Sequence, residues 1–218
     1  AAGGMEWAFP VEEHGYLEWR PWPYRTASGD TWASVTFADR DDRTGLAVEV
    51  TVVLEAGRSY FTLRPQISNP TQSAHTYQFW LNGMFALSPR NRPSPDLRFI
   101  LPVDRVTVHS TSDGGLPAPG TEIDWPTYQG RDLARYGNWE GWLGVFADPV
   151  GYMGAYDLSS GLGVARVYPP DIARGTKVFG PGTIDPKAWT DDGSGYVELW
   201  GGLTPTFWDE AAIAPGAT

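Results

Sequence analysis

Cysteine is absent from the 218-residue chain. That removes disulfides, thiolate zinc sites and a cysteine nucleophile, and leaves the redox compartment open. Lysine is nearly absent, with only Lys177 and Lys187, and the arginines are scattered. Sixteen basic against 26 acidic side chains give a formal charge of −10. A polyanion therefore meets no clustered cationic surface, and nucleic acid is not expected as a partner. No apolar run approaches the roughly 20 residues of a membrane span, so no membrane partner is expected. The opening Ala1-Ala2-Gly3-Gly4 has neither the basic region nor the apolar stretch of a signal peptide. With no initiator methionine the chain reads as a piece of a longer protein, possessing further domains, and localisation is left open.

Metal and cofactor signatures are missing as well. The three histidines, His14, His75 and His109, show no HExxH-type spacing. Asp191 and Asp192 could bracket a lone calcium ion, but Asp-Asp-Gly-Ser-Gly is ordinarily a turn. No GxSxG, P-loop or dinucleotide fingerprint occurs in a strand–helix context. No metal and no cofactor are expected.

What the chain has in excess is aromatic: 11 Trp, 10 Tyr and 9 Phe, with charged residues at only 19%. Such a composition serves an aromatic core, a surface that stacks on flat, weakly polar ligands such as sugars, or both. The periodicity is that of strands. In 46–54, Leu46, Val48, Val50 and Val52 fall on one face, Glu49 and Thr51 on the other. Further strands are predicted at 32–38, 60–63, 75–87, 97–101, 105–110, 142–147, 152–156, 163–168 and 196–200, with Gly, Pro, Asn and Asp turns between them. The nearest helix candidate, 131–142, is weakened by Gly137 and Gly141. Many short strands with Gly/Pro turns predict an all-β fold, a large antiparallel sandwich. No linker divides the chain, so residues 1–218 are expected as a single domain. The stretches 88–95 and 116–130 read as long loops, which in β domains often line a binding site.

Three strands carry an unusual polar face. Tyr196, Glu198 and Trp200 share one side of their strand, opposite Val197 and Leu199. Gln78, Trp80 and Asn82 share another, and Arg105, Thr107 and His109 a third. A carboxylate between two aromatic rings accepts sugar hydroxyls while the rings stack. The plain alternative is a wetted sheet surface.

Several stretches, in this serial order, carry a family resemblance: GGMEWAFP (3–10), NPTQSAHTYQFWLN (69–82), VTVHS (106–110), WPTYQGRDLARYGNW (125–139), GVFADPVGYMGAYD (144–157), TKVFGPGTIDPKAWTDDGSGYVEL (176–199) and YVELWGG (196–202). The chain resembles a bacterial family of unknown function with a galactose-mutarotase-like β-sandwich, often attached to tetratricopeptide repeats. The resemblance implies a sandwich whose concave face binds carbohydrate, and a chain that is a partial copy, truncated at both ends. It departs from the family pattern at Val178-Phe179-Gly180, where a Trp-Gly pair is usual, and before Phe207, where a polar Asn/Gln run is expected.

In the wider mutarotase-like superfamily a strand-borne Glu removes the anomeric proton and a His protonates the ring oxygen. Glu198 matches the base by its place in YVELWGG, and His109 is the candidate acid, with His75 second. Neither histidine stands in the Asn-His-Ser-Tyr context of aldose mutarotases, and Gly83 follows Asn82 where that motif falls. The alternative for Glu198 is a carboxylate satisfied by a guanidinium such as Arg131. Candidate ligand contacts are Asn82, Trp80, Trp125, Arg131, Asp132, Tyr136, Lys177, Trp189, Tyr196 and Trp200, with Glu6 and Trp7 at the edge. Carbohydrate recognition is the expected function. The alternatives are an aldose epimerase or glycoside-processing enzyme using Glu198, the latter paired with Asp132 or Glu6, and a structural accessory domain of a larger protein.

Overall fold

The computed structural model describes residues 4–11, 13–89 and 91–218. The strands are β1 (Gly4–Ala8), β2 (Tyr24–Gly29), β3 (Trp32–Arg40), β4 (Ala47–Glu55), β5 (Phe61–Ser68) and β6 (His75–Tyr77). They continue as β7 (Trp80–Phe85), β8 (Leu97–Ile100), β9 (Arg105–Ser110), β10 (Glu122–Asp124), β11 (Thr127–Tyr128) and β12 (Arg131–Asp132). The last are β13 (Glu140–Val145), β14 (Tyr152–Asp157), β15 (Leu162–Val167), β16 (Gly175–Pro181), β17 (Val197–Gly202) and β18 (Ala211–Ile213). Among the described residues there is no α-helix, only a 3₁₀ turn at Pro186–Ala188. The fold is all-β, as the strand periodicity predicts.

The chain divides into two compact units, Ala1–Trp7 with Trp80–Asp209, and Ala8–Phe79 with Glu210–Thr218. In the first, a seven-stranded sheet runs β1-β7-β17-β16-β13-β9-β10, and a three-stranded sheet runs β15-β14-β8. The two enclose one core. Val106, Val108, Leu143, Val145, Val178, Val197 and Leu199 come from the larger sheet, and Leu97, Phe99, Met153 and Ala155 from the smaller. Each is every second residue of its strand, which is how a pleat sorts one face of a sheet into a sandwich interior. Trp139 closes the core and donates its indole N–H to the Leu133 carbonyl at 2.7 Å.

Asp157 pins the edge of the small sheet. It is fully buried, yet accepts from Ser94 Oγ at 2.8 Å and Ser159 N at 2.9 Å. Burial pushes its pKa up, but these bonds and the Ser160 amide outweigh it, so the carboxyl is held below its ordinary value.

The second unit is built on a meander, β2-β3-β4-β5, with the pair β6-β18. Leu46, Val48, Val50 and Ile67 are buried, as the alternation predicts. On the other face Arg25 pairs with Glu49 at 3.0 Å, and the Thr36 and Thr51 hydroxyls meet at 2.8 Å. Arg20 forks onto Asp39 at 2.7 and 2.8 Å.

Several expectations change in detail: β1, β2, β10–β12 and β18 lie outside the predicted strands, and the long loop expected over 116–130 carries β10 and β11. The strand predicted over 75–87 is two strands, because the Gln78 amide leaves the ladder for the Pro10 carbonyl at 2.7 Å. Strand β16, central in the large sheet, is absent from the prediction. Gly175 and Gly202 are needed where they stand, since a Cβ on either would overlap the Trp80 indole lying across them.

Candidate functional site

Register brings the polar faces of distant segments together. Trp200 on β17 pairs with Asn82 on β7 and with Lys177 on β16, and Lys177 pairs in turn with Gly144 on β13. Gly144 faces Thr107 on β9. Trp142 lies between Phe179 and Ser110 in the same way. Residues from five strands thus share one face of the seven-stranded sheet, opposite the core.

Glu198 lies on that face, 9% exposed. Its Oε2 accepts the Trp200 indole N–H at 2.6 Å and the Asn82 amide at 3.3 Å. The same Asn82 nitrogen reaches Glu6 Oε2 at 3.4 Å, so one amide bridges two buried carboxylates. Arg131, offered by the sequence as the partner of Glu198, instead forks onto Asp113 and donates to the Asn138 carbonyl at 2.7 Å.

Beside Glu198 is a cavity of about 240 Å³. Tyr196, Tyr136, Phe179 and Trp189 line it, and Arg92, Pro93 and Ser194 come from the turns around it. Trp189 is half-exposed at its rim and meets Phe179 edge-on at 5.6 Å. Phe179 continues to Trp142 at 4.8 Å, and Trp142 to Trp200 at 5.7 Å. Tyr136 donates its hydroxyl to the Tyr196 carbonyl at 2.9 Å. Burial first, and then the neighbouring Glu198 and Tyr196, push its pKa well above the ordinary phenol value, so it stays protonated as a donor.

Lys177 is fully buried. Its ammonium lies against the Phe207 ring and over Trp80, 4.2 Å from the ring centre, with Trp142 at 5.4 Å and Trp200 at 5.9 Å. The faces of these rings offer a cation their negative quadrupole lobes. His109 is also buried, stacked on Trp208 at 4.0 Å and edge-on to Phe207 at 5.3 Å. Burial, and secondarily the charge of Lys177, pull its pKa down to about 3, so the imidazole is neutral under ordinary conditions.

Of the residues singled out in the sequence, Glu198, Tyr136, Tyr196 and Trp189 line the cavity, and Asn82, Trp200, Trp80, Lys177 and His109 belong to the contiguous sheet face. The others named next stand elsewhere. Trp125 is packed in the core, Arg131 is held by Asp113, and Asp132 accepts from the Ala134 amide at 3.1 Å in the small β11–β12 hairpin. His75 bonds Thr71 at 3.1 Å in the second unit. The Asp192 carboxylate accepts from the Ser194 amide at 2.9 Å, an ordinary turn. Residues not singled out are Phe179, Arg92, Trp142, Phe207 and Trp208. The alternation of Lys177 and Phe179 about Val178 is the signal that would have found the first.

The chain matches the family described as Domain of unknown function (DUF5107) over residues 1–212. No curated protein matches it. Among solved structures it is similar to a TPR-domain containing protein from Parabacteroides distasonis, at 25% identity and a TM-score of 0.78. That match covers all of this chain and 36% of the other, so the chain spans about a third of that protein's length. It is similar in fold to the Slr1438 protein from Synechocystis, at 12% identity and TM-score 0.71, covering 100% of this chain and 75% of that one. A galactose mutarotase-like protein from Lactobacillus casei aligns at 10% identity and TM-score 0.59, covering 100% of this chain and 79% of that one. The sandwich is of the galactose-mutarotase-like kind, and the chain belongs to the DUF5107 family.

Proposed function

We propose that the chain recognises carbohydrate on the polar-aromatic face of its seven-stranded sheet. The observation that carries this reading is Glu198: a buried carboxylate beside an aromatic-walled cavity, oriented by an indole and an amide. A carboxylate so placed accepts hydroxyl hydrogens in charge-assisted bonds, while Trp189 and Phe179 stack on the apolar face of a sugar ring. The cavity is smaller than the roughly 300–1,000 Å³ clefts that take drug-sized ligands, which suits one sugar ring at a time. The similarity to a galactose mutarotase-like protein supports the same ligand class, and that to a TPR-domain containing protein supports a role within a longer chain.

Binding is favoured over ring-opening chemistry. A general acid has to carry a transferable proton near the working pH, and His109 is neutral down to about pH 3. It is also absent from the lining of the Glu198 cavity. Polarimetry on fresh α-D-glucose and α-D-galactose is expected to show the uncatalysed rate; acceleration that vanishes in Glu198→Gln assigns the epimerase reading instead.

The binding test is a tryptophan fluorescence titration with galactose, glucose and their oligosaccharides. A saturable response is expected, weakened about tenfold (~1.4 kcal/mol) in Trp189→Ala. A flat response across the whole panel refutes the reading.

A further inference from the structure

The three-stranded sheet β15-β14-β8 has two edges, and they end differently. Along β8 the connection 134–136 continues the backbone pairing: the Phe99 amide donates to the Ala134 carbonyl at 2.7 Å, and the Tyr136 amide to the Leu97 carbonyl at 3.0 Å. Along β15 no such backbone contact occurs among the described residues. In an antiparallel ladder alternate residues turn both backbone groups toward the neighbouring strand, and the residues between turn both away. The Tyr168 amide bonds the Gly151 carbonyl at 3.0 Å, and β15 pairs with β14 in that same register throughout. Leu162, Val164 and Arg166 therefore bond β14, while Gly163, Ala165 and Val167 direct their N–H and C=O groups off the sheet.

Folded proteins blunt open edges with charge, proline or a bulge. Two other edges of this molecule follow that rule: β10 carries Glu122 and Asp124, and β5 carries Arg64 and Pro65. Strand β15 reads Leu-Gly-Val-Ala-Arg-Val. Its one charge is turned inward, where Arg166 Nη1 donates to the Leu81 and Leu199 carbonyls at 2.7 and 2.6 Å. The outward set is small and uncharged, and Val167 is 83% exposed. Tyr152 and Tyr156 of β14 and Ile100 of β8 share that outer face and are exposed with it. The Tyr156 ring lies across Gly163, where a Cβ would meet it at 2.6 Å.

We propose that β15 is a self-association edge whose occupant is β15 of a second copy of this chain, paired antiparallel. The outward set fixes the register. A two-fold axis through Ala165 places Ala165 opposite Ala165 and Gly163 opposite Val167, so every outward N–H of either copy meets an outward carbonyl of the other. Sliding either strand by two residues leaves an outward residue of each copy unpaired. In the two-fold register each Val167 lands on Gly163, the position with no side chain, against the Tyr156 ring. No like charges meet at this edge, although the chain carries a net charge of −10. The contact is isologous and closes at two copies. A six-residue edge offers less than the roughly 800 Å² per partner of a standard interface, so the pair is weak and exchanging. Strand β15 belongs to the other sheet from Glu198, and the inference is independent of the carbohydrate reading.

The absence of cysteine makes a clean test, since a single introduced thiol can form a disulfide only between two copies. Across the two-fold axis the Ala165 Cα atoms stand about 5.5 Å apart, inside the ~4.4–6.8 Å that a disulfide spans. The two Val167 Cα atoms, four residues out of register, stand about 13 Å apart. Ala165→Cys is expected to form covalent dimers under mild oxidation at least tenfold faster than Val167→Cys. Equal rates, or no dimer from either, overturn the proposal. Amide hydrogen exchange of the unaltered chain gives a second readout between about 1 μM and about 1 mM, the range over which weak pairs associate. Exchange at Gly163, Ala165 and Val167 is expected to slow severalfold at the higher concentration, with Val164 and Arg166 unchanged. Exchange that ignores concentration at all five overturns the proposal, as do outward amides already protected in the dilute chain. Ala165→Pro removes an outward N–H and spares the bonds to β14, and it should abolish the slowing at Gly163 and Val167. If circular dichroism shows that variant unfolded, Val167→Lys, which charges the edge, is read by the same outcome.

Discussion

Strands β4 and β17 each set a glutamate between apolar neighbours, yet Glu49 sits half-exposed in an ion pair with Arg25 while Glu198 is buried on indole and amide donors. The pleat is the same in both: Val48 and Val50 are buried beneath Glu49, Val197 and Leu199 beneath Glu198. What differs is the polar face. In the meander it carries threonines and charges that pair locally across the ladder, Arg25 with Glu49 and Thr36 with Thr51. On β17 the flanking positions are Tyr196 and Trp200, the cross-strand neighbours of Trp200 are Asn82 and Lys177, and Phe179 lines the same cavity as Glu198. Rings large enough to exclude water turn a wetted surface into a second, polar interior. There a carboxylate is held by an indole and an amide.

The largest expected effect lies on the face the two strands have in common. Leu199→Ala removes a fully buried side chain from the sandwich core and should lower stability by about 2–5 kcal/mol in urea unfolding. A loss near zero would mean that the core face of β17 is not closed.

Next comes the difference itself. Glu198→Gln keeps the shape and removes the charge, and should weaken saccharide binding roughly 10- to 100-fold, the ~1.5–3 kcal/mol of a hydrogen bond to a charged group. Glu49→Gln should leave it unchanged. Equal effects in a fluorescence titration would erase the distinction between the two strands.

The pH dependence is smaller and has a definite sign. His109 has a folded pKa of about 3 against an ordinary 6.5. Below the ordinary value the unfolded chain binds a proton that the folded one does not, so stability falls as pH drops from about 6.5 towards 3. The slope is on the order of 1 kcal/mol per pH unit. His109→Gln should flatten that portion of a stability-versus-pH curve; a curve identical to wild type would place the imidazole in water. The smallest effect belongs to the Arg25–Glu49 pair. Arg25 holds the Glu49 carboxyl below its ordinary value, but the pair is exposed, and Glu49→Gln should cost only ~0–1 kcal/mol, less at high salt.

Much of this was legible in the residues. Period-two alternation located the core faces of β4, β9 and β17, because burial on one side imposes it directly. Tyr196, Glu198 and Trp200 announced the polar-aromatic face, and Tyr136 and Trp189 lie at its cavity. The loop at 88–95 contributes Arg92 and Pro93 to the lining, as its length suggested. Other parts depend on contacts that no local pattern encodes. Strand β16 hides behind glycines that make room for the Trp80 and Trp139 rings. Phe207 and Trp208 belong to a connection without periodicity, and their place over the sheet comes from packing alone. Arg131 chooses Asp113, 18 positions away, over Glu198, a choice of partner that spacing does not express.

The central claim, that sugar is held on the Glu198 face, is tested most directly by the indole N–H resonances of the 11 tryptophans in a ¹H–¹⁵N spectrum titrated with D-galactose or D-glucose. The account predicts that Trp189 and Trp200 shift saturably while Trp19, Trp22 and Trp32 stay fixed. Movement confined to those last three, or none at all with either sugar, would contradict it.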